Sequence, residues 1–191
     1  MEEKISWSAE SLGGKMLHQW WHDLHHDTIN QDGLLIRKAD RASCAILRRC
    51  ATLDAVALSD AYQRFYRYML ACNAWPADAE NRQQDKLAAI AGLLAHVKTE
   101  GSQHLPILMS ELDGDRPQVS ELRFRNLLKV ESTDDLFVSL RRVLPLIDKK
   151  KNVDPSKKIN IYQLANDVYF WGDKTKKEWA YSYRWPVKQP A

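Results

Sequence analysis

The chain has 191 residues, 45% hydrophobic and 28% charged, a balance that implies a packed core with room for one domain or two small ones. No apolar run reaches the ~18 residues of a membrane-spanning helix, and three cysteines (Cys44, Cys50 and Cys72) without C-x-x-C spacing suit neither a disulfide framework nor a closed zinc site. The net charge of +3 is unevenly spread: residues 1–115 hold 12 Lys+Arg against 16 Asp+Glu, and residues 116–191 hold 16 against 9.

The opening "MEEKISWSAE" is acidic and has no signal-peptide apolar region, so a cytoplasmic protein with reduced, buried thiols is expected. The 3.6-residue period then predicts a first helix over Leu12 to His25, ended by the "HDTINQDG" turn. Asp40 is placed to cap "RASCAILRRCA", and Ser59 to cap "DAYQRFYRYMLACN", which stops near Trp75-Pro76. A long helix is predicted over Asn81 to Lys98, with Leu87, Ile90, Ala91 and Leu94 on one face. Residues 99–118 break the pattern and mark the joint between two lobes, where the charge balance also changes sign.

Beyond the joint, Ser120 is placed to cap "ELRFRNLLKV". "STDDLFVSLRRVLPLID" carries a capping signal and a core stripe of Leu136, Phe137, Leu140, Leu144 and Ile147, with Pro145 expected to kink or finish the helix. "DKKKNVDPSKK" is expected to be a mobile connection. "INIYQLANDVYFWG" gives a further helix closed by Gly172 as its C-terminal cap, and Asp173 opens the last one. The expected fold is therefore an all-α, two-lobed helical bundle, with an N-terminal lobe of residues 1–115 and a basic lobe of residues 116–191.

Signs of catalysis are sparse. His18, His22 and His26 recur every four residues beside Asp23 and Asp27, and an i, i+4 histidine pair can share a zinc. A catalytic zinc needs a third ligand and usually a base, yet the glutamate of H-E-x-x-H is missing and His96 and His104 stand alone in sequence. A polar helix face is the favoured reading, with no metal or cofactor. Phosphate-binding glycine loops and nucleophile elbows do not occur, and "ELDGDRP" lacks the calcium-loop pattern. A non-catalytic protein is expected.

The arginines carry more information. Arg41 and Arg48 are seven apart, near one face of their helix, with Arg49 beside them and Ala42, Ile46 and Cys50 turned elsewhere. Arg125 and Lys129 stand one turn apart next to Arg123, and Arg141 and Arg142 flank the Leu140/Leu144 stripe. Planar guanidinium forks suit phosphate oxygens, so such clusters on adjacent helices would form a track for a nucleic-acid backbone. The rival reading is internal pairing, with Asp134 or Asp135 satisfying Arg141 or Arg142. In "VYFWGDKTKKEWAYSYRW", Val168 and Trp171 continue the core stripe of Leu164 and Ala165, and Trp179, Ala180 and Tyr183 share a second apolar face. Lys177, Tyr181 and Arg184 share another face. That leaves Lys174, Lys176 and Lys177 for phosphates, and Tyr181 or Trp185 for stacking on a base.

Four blocks in order, "SCAILRRC", "SELRFRNLL", "DLFVSLRRVLPLID" and "INIYQLANDVYFWGDKTKKEWAYSY", resemble the small subunit (CasB family) of Cascade, the type I-E CRISPR surveillance complex. The most specific signals are L-R-R in an apolar helix, followed by L-A-x-D-x-x-x-W-G-D and W-A-x-x-Y. The resemblance implies an all-helical, non-catalytic protein that sits as a pair beside the backbone and large subunits of a crRNA-containing assembly. Its implied task in antiviral defence is to hold target DNA, especially the displaced single strand, during R-loop formation. The implied nucleic-acid contacts are Arg41, Arg48, Arg49, Arg123, Arg125, Arg141, Arg142, Lys174 and Lys177; the alternative is a protein–protein adaptor without DNA contact.

Overall fold

The structure is a computed structural model that describes residues 5–147, 154 and 157–186. Among them are ten helices and two small antiparallel hairpins, so the fold is all-α in its architecture. The helices are α1 (Leu12–His25), α2 (Arg41–Arg49), α3 (Leu53–Ala57), α4 (Asp60–Ala71), α5 (Asn81–Leu94), α6 (Leu105–Ser110), α7 (Glu121–Leu128), α8 (Thr133–Ile147), α9 (Ile161–Tyr169) and α10 (Asp173–Ser182). Strands β1 (Thr28–Ile29) and β2 (Leu35–Arg37) form one hairpin, and β3 (Leu112–Asp113) and β4 (Arg116–Pro117) the other.

Helix starts follow the expected chemistry. Asp40, Ser59 and Ser120 each accept an amide of the first turn, which satisfies donors a helix N-terminus otherwise leaves open. Ser132 does the same for α8 by accepting from the Asp135 amide. Pro145 lies two residues before the end of α8 and does not break it earlier. Gly172 is not the C-terminal cap of α9: Phe170 holds that place, and Gly172 is the extended N-cap residue of α10.

Helix α5 is the axis of the fold. Every residue from Leu87 to Val97 is buried, as expected of a helix surrounded by partners rather than lying on a surface. It packs against α8 and α9 and also touches α2, α3 and α4. The expected core stripes of α5 and α8 are buried, and buried residues from both sides of position 115 form one contiguous cluster. The α-helix stops at Leu94, short of Lys98, because His96 and Val97 donate to Leu93 and Leu94 in a tightened last turn.

The expected joint contains structure of its own, including α6 and the β3–β4 hairpin. Gly101 donates to Ile159, Gln103 donates to Lys158 and Asn160 donates to Gln103, each at 2.9 Å, so the segment is stitched to the start of α9. The connection expected over residues 148–158 lies mostly outside the described residues. At the other end, Trp7 is fully buried, and Asn166 on α9 exchanges two hydrogen bonds with its backbone.

Candidate nucleic-acid interface

The motif residues near the C-terminus build the scaffold. Asp167, 4% exposed, accepts from Trp179 Nε1 at 2.7 Å and from Gln163 Nε2 at 3.1 Å, and lies 2.7 Å from His104 Nε2. His104 Nδ1 is 3.3 Å from Ser182 Oγ, which donates to the Glu178 carbonyl. His104 is therefore not isolated: it joins the 99–118 segment to α9 and α10. Trp171 Nε1 donates to the Val130 carbonyl, and Tyr183 OH donates to that of Val119. These tryptophan and tyrosine donors all end on partners within the fold, and the buried Trp179 and Tyr183 rings pack inward and cannot serve as stacking surfaces. Trp171 is half-buried, Trp179 and Tyr183 fully buried.

On that scaffold, α10 presents Lys174, Lys177 and Tyr181 outward, with Tyr181 90% exposed, and Arg184, just beyond its end, is exposed as well. Lys174 lies 3.9 Å from Glu178, one turn ahead. Trp185 is occupied: it packs edge-on to Phe124 and Tyr183, and the Arg125 guanidinium stands 4.9 Å from its ring centre. Arg125 also pairs with Glu121 at 2.6 Å. Internal pairing is thus correct for Arg125, while Arg123 on the same helix is exposed with no ion pair among the described residues.

The second group lies where α2 meets α8. Helix α2 buries Ser43, Cys44 and Leu47 and exposes Ala42 and Ile46, while Cys50, just beyond its end, is buried. Arg49 and Arg142 are exposed, and Arg48 and Arg141 half-buried. Arg141 Nη2 donates to the Arg48 carbonyl at 3.4 Å. Asp135 binds Ser132 instead of reaching these arginines. Arg41, at the far end of α2, is exposed. Of the nine candidates, only Arg125 and Lys174 pair with a carboxylate among the described residues. No hydrogen bond or ion pair among those residues joins the α10 lysines to the α2–α8 arginines.

Beneath the second group lie residues that periodicity did not single out. His25 Nε2 is 3.1 Å from the Leu94 carbonyl, and its Nδ1 is 3.9 Å from Cys44 Sγ. Burial lowers His25 to about 4, against the opposing Leu94 carbonyl. His96 is also lowered to about 4, by burial first and then by the Arg48 and Arg141 charges. Burial pushes the Cys44 thiol up. A further basic spot on α4 was also missed, an open hollow lined by Asp60, Gln63, Arg64 and Arg67. Arg64 donates to Ser43 Oγ, which is itself held by the capping Asp40.

The polar face of α1 does not gather a metal site. His18 is 2.9 Å from Glu100 and stacks on Tyr162, and no cluster of three or more His, Cys, Asp or Glu suited to a metal occurs among the described residues. No helix among those residues is long and apolar enough to cross a membrane.

Comparison with solved structures shows the same fold in two proteins. CasB from Thermus thermophilus superposes with a TM-score of 0.56 at 22% identity, covering 91% of this chain and 97% of that one. A chain of E. coli Cascade, solved with a PAM-containing double-stranded DNA target, gives 0.55 at 17% identity, covering 89% and 92%. Comparison with the curated proteins finds no match. The profile of the family described as CRISPR-associated protein Cse2 matches residues 43–183, from Ser43 in α2 to Tyr183. The chain belongs to the CRISPR-associated Cse2 (CasB) family.

Proposed function

We propose that the chain is a non-catalytic small subunit of a crRNA-guided Cascade complex in CRISPR defence, holding the DNA backbone while the R-loop forms. The observation that carries this reading is the set of arginines and lysines left without internal carboxylates: Arg41, Arg48, Arg49, Arg123, Arg141, Arg142 and Lys177, among the described residues. Guide pairing supplies sequence selection in such complexes, and strand exchange is close to balanced, so sequence-blind backbone contacts can tip it. The displaced single strand is the natural substrate, with exposed Tyr181 offering a ring for an unpaired base. The E. coli relative was solved within a DNA-bound Cascade, which supports the assignment. The partners on this reading are the backbone and large subunits, a second copy of the chain and the target DNA. The division at 115/116 is read as a division of charge, with the basic lobe turned to DNA.

A second reading, docking on protein, is favoured at one place. The β1–β2 hairpin exposes Ile29, Leu34, Leu35 and Ile36 together, a group of apolar side chains suited to a protein neighbour. Purification of the protein with its native partners tests the main reading: a short guide RNA of uniform length is expected with it. In the reconstituted complex, alanine at Arg49, Arg142, Lys174 and Lys177 should shorten the R-loop lifetime. An unchanged lifetime assigns the basic face to protein contacts.

A further inference from the structure

The segment ahead of α1 is anchored by one side chain. Trp7 is fully buried, whereas Ser6, Ala9 and Glu10 of the same segment are exposed. Its indole stacks on Trp75, with ring centres 6.0 Å apart, and meets Tyr169 edge-on at 6.2 Å. Asn166 on α9 holds the backbone of the same residue: Nδ2 donates to the Trp7 carbonyl at 2.6 Å, and Oδ1 accepts from the Trp7 amide at 3.3 Å. A side-chain amide that pairs with both backbone groups of one residue is indifferent to the side chains flanking it. Helix α1 supplies the floor. A Cβ at Gly14 would stand 2.6 Å from the Ser8 carbonyl carbon, so the segment lies directly on bare helix backbone. Two aromatic walls, one backbone-holding amide and one glycine floor thus receive a single tryptophan.

The docked state is not fully satisfied. Trp7 Nε1 and Trp75 Nε1 are both buried without hydrogen-bond partners. Buried donors are nearly always paired, and both would meet water once Trp7 left the pocket, so this penalty favours release. Opposing it are the burial of one indole and the two bonds to Asn166. The bonds that Ser6 and Ser8 make to Ser11 are local and shape the turn before α1. Segments with so few distant ties open at free energies well below global unfolding. We infer that residues 5–10 are a detachable strap, and that the pocket they fill recognises a short peptide carrying a tryptophan, with the chain's own Trp7 as its resting occupant. Release bares the faces of Trp75 and Tyr169 together with the Asn166 amide. The pocket holds none of the basic residues assigned above to DNA.

Two measurements on the full chain test this. In Gly14→Ala, whose methyl collides with the strap, exchange of the Trp7 amide read by NMR should accelerate on the order of a hundredfold, while the amides of α5 and α9 keep their protection. Unchanged exchange at Trp7, or protection lost in α5 and α9 in step with it, overturns the strap. The second measurement adds a dye-labelled peptide of residues 5–11 to the chain carrying Trp7→Ala, whose own anchor is gone. Saturable binding is expected, about a hundredfold tighter than to the native chain, where Trp7 competes from within. Trp7→Ala in the peptide, or Asn166→Ala added to the receiving chain, should weaken it about tenfold or more. A Trp7→Ala chain that cannot fold makes the segment ordinary core and overturns detachment. A folded one that ignores the peptide overturns the recognition pocket.

Discussion

Asp167 accepts two hydrogen bonds and touches a histidine while 4% exposed, so removing its carboxylate strands several buried donors at once. Asp167→Ala is expected to lower stability by roughly 3 kcal/mol in urea unfolding, whereas Lys174→Ala, on an exposed ion pair, should change it by about 0.5 kcal/mol or less. The buried histidines make a second prediction at this scale. His25 and His96 fall from 6.5 to about 4 on folding, so between those values the unfolded chain binds more protons and stability rises with pH. Their neutral burial stabilises fully above pH 6.5 and is lost as pH falls toward 4. A shift of this size is worth about 3 kcal/mol per group. Melting curves between those limits should slope upward with pH, and His96→Asn should flatten the slope.

Helix α5 comes closest to its neighbours at Gly92. A Cβ there would stand 2.7 Å from Phe137 Cε2 and 3.0 Å from Val56 Cγ2, so α8 and α3 approach because that position is bare. Alanine gains about 1 kcal/mol of helix propensity, but the overlap costs ~1–3 kcal/mol, so Gly92→Ala should be destabilising overall in chemical unfolding. Much at this scale was legible from sequence. Capping side chains at 40, 59 and 120 act on their own first turns, and the α8 stripe repeats at the helical period, so both are written locally. The hairpins, α3 and α6 were not legible. They are short, and what fixes them is distant: α3 packs on α5 and α8, and the segment before α6 is held by Ile159. His104 and His96 looked alone for the same reason, since their surroundings come from residues far along the chain.

Across the described residues, an interior scaffold tied together by hydrogen bonds to Asp167 lies under an exterior that bears cations without carboxylate partners among those residues. The motif tryptophans, Asp167 and Tyr183 serve the scaffold, which is why they carried the family resemblance without revealing a ligand. Clusters of arginine could be read from spacing, but their division into paired and unpaired groups could not. Arg125 is taken by Glu121 and Trp185, and Arg141 by the backbone of Arg48. The most direct measurement is the salt dependence of displaced-strand binding by the reconstituted complex, with and without alanine at Arg49, Arg142, Lys174 and Lys177. Each lost phosphate contact should flatten the log–log slope by about 0.7, or roughly 3 for all four. A slope identical to that of the native complex would contradict the assignment of this surface to DNA.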